Sequence, residues 1–194
     1  MTLTATPDVS STFAGWSPAP CAASFAMPAQ NLVCTAVFNL KTFTVNTGYY
    51  GDGGTITPSS QTVNYGDTAK FTIQPRYYDY RISAVTGCGG SLSGNTYTTG
   101  PITANCNVIV TWAALVATTS GSGGTISPSS QWVDLGKTTN FTVTAQTGYF
   151  ALSSSFSTAG CSGNFSGNAQ GGGTFTAGPI FTPCAITVTF YQLP

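Results

Sequence analysis

Two groups of side chains in this sequence could do chemistry: six cysteines, and the tyrosines, arginines and aspartate gathered in "PRYYDYR", Pro75–Arg81. Other reactive groups are scarce. There is no His and no Glu, and the five carboxylates (Asp8, Asp52, Asp67, Asp79, Asp134) are dispersed. General acid–base catalysis draws on His or on paired carboxylates, and a Ser–His–Asp or Cys–His nucleophile cannot be assembled without His. No Asp-x-Asp ladder offers a calcium loop, and no CxxC spacing or His offers a zinc site. The expectation is a chain without catalytic residues, metal or cofactor. Tyrosines beside polar groups make platforms for sugars or protein partners, because rigid rings lose little entropy on contact. Arg76, Tyr77, Tyr78, Tyr80 and Arg81 are therefore the candidate ligand residues, with a surface glycan as candidate partner. The competing reading is a strand-to-strand corner whose tyrosines pack on a sheet while its charges pair with one another.

The cysteines are organised by repetition. "GGTITPSSQ" (Gly53–Gln61) returns as "GGTISPSSQ" (Gly123–Gln131), and ten of fifteen positions agree between Gly53–Asp67 and Gly123–Lys137. Further on, "TGCGGSLSGN" (Thr86–Asn95) answers "AGCSGNFSGN" (Ala159–Asn168), and "CNVIVTW" (Cys106–Trp112) answers "CAITVTF" (Cys184–Phe190). A shorter copy comes first: "TLTATPD" (Thr2–Asp8) aligns with "FTIQP" (Phe71–Pro75), and "CTAVF" (Cys34–Phe38) closes it. Nothing in that copy corresponds to Thr42–Asp67. Each copy holds two cysteines: Cys21 and Cys34, Cys88 and Cys106, Cys161 and Cys184. Six cysteines allow fifteen pairings, and one pair per copy favours bridges within each repeat. Each would close a short loop worth about 3 kcal/mol in the loop-entropy account.

Stepping from the cysteines to the segments that hold them, the periodicity is that of strands. Phe43 and Val45 alternate with Thr42, Thr44 and Asn46, and Ile186, Val188 and Phe190 alternate with Thr187, Thr189 and Tyr191. Period two with β-branched and aromatic enrichment predicts half-buried antiparallel strands. No window carries a 3.6-residue stripe. The recurrent Gly-Gly and Pro-Ser-Ser elements read as turn punctuation, with Gly supplying positive φ; no Gly-Lys-Ser/Thr follows to make a phosphate loop. The predicted architecture is all-β: tandem small antiparallel modules, β-grasp-like or sandwich-like, at 1–40, 41–113 and 114–194. The links between them are short and lack Gly and Pro, which favours a linear rod.

Composition narrows the function classes. Five basic residues over 194 cannot neutralise a run of phosphates, so nucleic acid is excluded as a partner. No apolar run is long enough to span a membrane as a helix. Six cysteines in a nearly charge-free, Thr-rich chain point to an oxidising compartment. "MTLTATPDVS" is no secretory leader, so that signal is expected to have been removed or to lie outside this sequence.

With these residues in view, the chain resembles the divergent internalin-B-type bacterial repeat. The resemblance rests on "GGTITPSSQTVNYGDTAKFTIQP" (Gly53–Pro75), "VTGCGGSLSGNTYTTGPITANC" (Val85–Cys106) and the closing "VTW" and "VTF". It implies a small β-rich module, a place outside the cell or on its surface, and a role as spacer, stalk or adhesive element with no catalytic residue. The sequence departs from that pattern in its short first copy and in "PRYYDYR". The short first copy raises one more expectation, end-to-end self-association into a fibre. Its uncharged first strand (Thr2, Leu3, Thr4, Ala5) would present one sheet edge, and the closing strand (Ile186, Val188, Phe190) the other. Neighbouring repeats of a longer chain are the alternative partner.

Overall fold

The alternating Thr, Val, Ile and Phe residues do form strands. The protein is described by a computed structural model covering residues 1–168 and 171–194, and among these it is all-β, with one 3-10 turn at Ser153–Ser155. The first repeat supplies a two-stranded antiparallel ribbon, β1 (Ser11–Ser17) and β2 (Thr35–Leu40). Phe13 packs edge-on against Trp16 and Phe38, with ring centroids 5.5 and 5.7 Å apart. No sheet covers them, and Phe13, Val37 and Phe38 each stay 40% exposed.

The second repeat is built in two layers. Its strands are β3 (Thr42–Tyr50), β4 (Gly54–Thr57), β5 (Ser60–Asn64), β6 (Lys70–Pro75), β7 (Tyr80–Thr86), β8 (Ser91–Ser93) and β9 (Thr96–Thr98). They are followed by a 15-residue strand, β10 (Cys106–Ser120). Strands β3, β5, β7 and the first half of β10 make one layer; β4, β6, β9 and β8 make a cover sheet. The third repeat copies this plan with β11 (Gly124–Ser127), β12 (Ser130–Asp134), β13 (Thr139–Ala145), β14 (Tyr149–Phe150), β15 (Phe156–Ala159), β16 (Gly163–Asn168), β17 (Gly172–Ala177), β18 (Cys184–Val188) and β19 (Tyr191–Gln192). Here β12, β18, β15 and the second half of β10 lie beneath a cover sheet of β11, β13, β17 and β16. The second and third repeats are thus sandwich-like, one of the two expected forms, while the first is a ribbon without a cover sheet.

Strand β10 is common to both layers. Its even-numbered residues from Val108 to Thr118 are buried. Val108, Val110 and Trp112 enter one buried cluster with Val45, Phe71, Ile73 and Tyr97. Ala114 and Val116 enter a second with Phe141, Val143, Phe175, Ile186 and Val188. Each fully buried Val, Ile or Phe among these contributes about 1.5–3 kcal/mol of transfer free energy. The pairing is not antiparallel throughout, as period two alone predicted. Strand β3 runs parallel to β10, with Val45 opposite Cys106, and β18 runs parallel to β10, with Cys184 opposite Val116. The chain reaches these positions only after crossing into the cover sheet and back, and a long crossover of that kind is what a parallel pair requires.

The positive φ expected of the repeated Gly-Gly is found in the later copy, at Gly123 (φ 93°), and the earlier copy has a different reason. Neither Gly53 nor Gly54 adopts positive φ. A Cβ at either would sit 2.5 Å from the buried Trp112 side chain, and one at Gly124 would sit 2.3 Å from the Phe190 ring. These glycines let a core aromatic lie flat on the backbone. The Pro-Ser-Ser segment is the expected turn. It carries the chain from β4 to β5 and from β11 to β12, that is, from cover sheet to lower layer, where Thr47 and Thr118 donate backbone N–H groups to Ser59 and Ser129 carbonyls at 3.0 and 2.8 Å. All three disulfides close within repeats, Cys21–Cys34, Cys88–Cys106 and Cys161–Cys184. Among the described residues no helix is long and apolar enough to cross a membrane.

Candidate functional site

"PRYYDYR" is the crossover that leaves the cover sheet at Pro75, the last residue of β6, and enters the lower layer at Tyr80, the first of β7. It sits where the second repeat meets the third. The backbone fixes it at three points. Arg76 N–H donates to the Gly53 carbonyl at 2.8 Å, Tyr80 N–H donates to the Tyr77 carbonyl at 3.1 Å, and the Asp79 carbonyl accepts from Leu115 N–H at 3.0 Å. The last of these bonds ties the crossover to the third repeat's half of β10.

This geometry sends the candidate ligand residues to four different places. Tyr80 turns inward opposite Ala114 and is buried in the third repeat's core, so it is not open to a ligand. Burial raises its phenol pKa, reinforced by the adjacent Asp79 carboxylate. Arg76 pairs with Asp52 at 2.5 Å between half-exposed and exposed side chains, a contact of small energetic weight. Arg81 points to the outer face of the lower layer, its guanidinium 4.8 Å from the Trp132 ring centroid. Tyr77 and Tyr78 remain in solvent, Tyr78 at 93% exposure. The corner reading therefore accounts for Arg76 and Tyr80. It does not account for Tyr78.

Beside Tyr78 lies an open groove of about 390 Å³. Its floor is the outer face of three adjacent strands: Leu115 and Ala117 on β10, Ala185 on β18 opposite Ala117, and Ala159 on β15 opposite Ala185. Tyr78 and Asp79 form the wall. One carboxylate oxygen of Asp79, Oδ1, is buried without a hydrogen-bond partner. Around the corner, Ser83 Oγ donates to Asp134 Oδ1, a second bond from one repeat to the next. Sequence reasoning missed Trp132, Ser83 and the alanine floor. Trp132 was detectable as a substitution, since it stands where the second repeat has Thr62. The floor was not detectable, because it is made by strand neighbours distant in sequence.

The residues expected to form self-association edges are placed differently. Leu3 N–H donates to the Ala23 carbonyl at 3.0 Å and Thr2 bridges Ser24, while no partner strand lines up with Thr4 or Ala5. At the other end, Ile186, Val188 and Phe190 provide no edge. Ile186 and Val188 lie on β18, which has β10 on one side and β15 on the other, and all three side chains are buried. Alternation turns them into the core. Beyond them, Tyr191–Gln192 pairs with β14.

Among curated proteins and solved structures, none matches this chain. A family model described as the divergent InlB B-repeat domain matches residues 1–42 and 114–153. Most of the second repeat lies outside those segments and is tied to them by its internal identity with Gly123–Lys137. In these two segments the chain is similar to the divergent InlB B-repeat domain, the family that its residues resemble.

Proposed function

We propose that this chain is a non-enzymatic structural segment of the bacterial exterior, a stalk or adhesin rod in which the second and third repeats move as one body. The supporting observation is strand β10, which runs without interruption from Cys106 to Ser120 through both layers. At about 3.3 Å per residue it spans roughly 50 Å, and bending the joint would break its hydrogen bonds and separate Tyr80 from the third repeat's core. Similarity to the divergent InlB B-repeat in two segments supports a surface location. A disulfide in every repeat suits an oxidising exterior. For fibre assembly β2 offers an edge without a partner strand among the described residues. Its counterparts in the later repeats, β18 and the first half of β10, each carry a parallel partner there, and β2 pairs only with β1.

Small-angle X-ray scattering of the monomeric chain tests the proposal. A compact 194-residue domain would have a radius of gyration of about 16 Å. The rod requires a value well above that, unchanged by salt. A value near 16 Å would overturn it.

A further inference from the structure

We propose that the groove at the joint of the second and third repeats binds a neutral saccharide, one or two pyranose rings of a larger glycan. The inference is independent of the stalk role, since a spacer with or without a ligand would have the same shape. Three observations carry it.

First, the floor is cleared of polar groups at this joint alone. In the third repeat the parallel neighbours Ala117 and Ala185 lie opposite each other on the outer face. The corresponding neighbours in the second repeat are Asn46 and Asn107. One row further along β10, the same face returns to a hydroxyl pair, Thr119 and Thr187, 2.8 Å apart. A flat apolar strip bounded by hydroxyls suits the C–H face of a sugar ring.

Second, Tyr78 lines that strip with 93% of its surface in solvent. An exposed aromatic ring beside an apolar floor is a contact surface, with the phenol oxygen free to hydrogen-bond at its rim. The volume, about 390 Å³, falls within the range of small-molecule sites.

Third, the wall carries a carboxylate that forms no ion pair: Asp79 lines the groove, while Arg76 is bound to Asp52 and Arg81 lies over Trp132. A sugar resting on the floor would bring its hydroxyls beside this carboxylate. A cationic ligand fits less well. The crossover from Pro75 to Arg81 carries two Arg against one Asp, so it provides no negative field. A single ring over an open floor also cannot enclose an ammonium group as a cation–π cage does.

Saturation-transfer NMR on the full chain tests this, using a panel of neutral hexose and N-acetylhexosamine mono- and disaccharides, with choline and trimethyl-lysine as the cationic arm. The expected result is transfer to at least one neutral sugar and none to the cations. Binding should weaken at least tenfold in Tyr78→Ala and in Ala185→Leu, which fills the floor, and should be unchanged in Tyr50→Ala, an exposed tyrosine outside the groove. Tyr78 is almost fully in solvent, so its replacement leaves the fold intact, and a melting curve matching wild type confirms this. No transfer from any neutral sugar, transfer indifferent to Tyr78→Ala, or preference for the cations would each overturn the proposal.

Discussion

The chain passes from repeat to repeat twice, and the two joints share a backbone plan but differ in what fills it. At each, the residue just past the closing strand donates its N–H to the end of the preceding crossover: Lys41 to Ser10 at 2.8 Å, Leu115 to Asp79 at 3.0 Å. At the second joint the next pair inward is Tyr80 opposite Ala114, both buried. At the first it is Ser11 opposite Leu40, and Leu40 is 56% exposed. The consequences follow. At the second joint one strand continues through both layers, and Leu135 of the third repeat packs against both buried clusters. At the first, β2 and β3 belong to separate sheets, and no residue of the first repeat enters either cluster. Lys41 Nζ donates to the Val9 carbonyl at 2.9 Å, an exposed contact that holds little. The same connection is thus stiff or loose according to whether the inward pair is apolar. Residual dipolar couplings should fit one alignment tensor over residues 42–194 and require a second for the β1–β2 ribbon. A single tensor for the whole chain would remove the contrast.

The most complete loss of structure is expected where the fold has least to lose. An isolated two-stranded ribbon is marginal in water, and the Cys21–Cys34 bridge closes a 13-residue separation worth about 3 kcal/mol. Replacing both cysteines by Ser should abolish amide protection throughout Ser11–Leu40 and leave the melting of the rest unchanged. Removing Cys88–Cys106 or Cys161–Cys184 should lower the melting temperature of the paired repeats without unfolding them at 25 °C, because buried clusters remain. Hydrogen exchange on each double variant separates these outcomes.

Next comes Tyr80. Truncating a large buried aromatic costs about 3–5 kcal/mol, so Tyr80→Ala should destabilise severely, and the damage should appear in the third repeat although the residue belongs to the second. Loss of protection at Phe141 and Val143 on β13 is the readout. The counterpart at the first joint, Ser11→Ala, should stay within about 0.5 kcal/mol of wild type. Equal effects at the two joints would mean that the inward pair does not decide stiffness.

What could be read from the sequence follows the range of the interactions. Strand alternation, the Pro-Ser-Ser turn and the cysteine pairing were legible because each depends on neighbours within a repeat and is written two or three times. The parallel partners of β10 were not legible, since Val45 and Cys106 meet only after two crossings between layers. Gly53 and Gly54 were noticed for the wrong property. Their backbone is ordinary, and what they provide is room for Trp112, 58 residues further along in the case of Gly54. The tyrosine-rich stretch stood out in the sequence, yet nothing in "PRYYDYR" tells that Tyr80 turns inward and Tyr78 outward. The direction is set by the strand that begins at Tyr80. The edge expected at Ile186–Phe190 failed for a related reason: alternation locates the apolar face but says nothing of how many neighbours a strand has.

A smaller effect should appear at high pH. Tyr80 has a phenol pKa raised above 10.0 by burial and by Asp79. The unfolded phenol titrates near its ordinary value, so the folded state binds the proton more tightly and stability falls as pH rises. The contribution is complete below pH 10 and is lost as pH climbs through the raised value. Melting temperatures measured from pH 8 to 12 should fall more steeply above pH 10 for wild type than for Tyr80→Phe. Parallel curves would show that Tyr80 does not stay protonated at the joint.

The smallest effect tests the outer face of the same joint. Arg81 and Trp132 belong to successive repeats, and Ala113 on β10 pairs with Arg81 on one side while Leu115 pairs with Trp132 on the other. The guanidinium lies 4.8 Å from the ring centroid, in reach of solvent. Cation–π pairs at exposed sites are worth about 0.5–1 kcal/mol. A double-mutant cycle of Arg81→Ala and Trp132→Ala should return a coupling of that size. Arg81→Lys should keep part of it, since an ammonium retains the charge but not the planar stack. The first joint has no such pair, so the coupling belongs to the stiff joint alone. A coupling near zero would leave the joint to its buried residues, Tyr80 and Ala114. A coupling of several kcal/mol would instead make the outer face an equal partner in holding the repeats together. It would also predict that Trp132→Ala loosens the residues flanking Ala113 enough to register as a second alignment tensor.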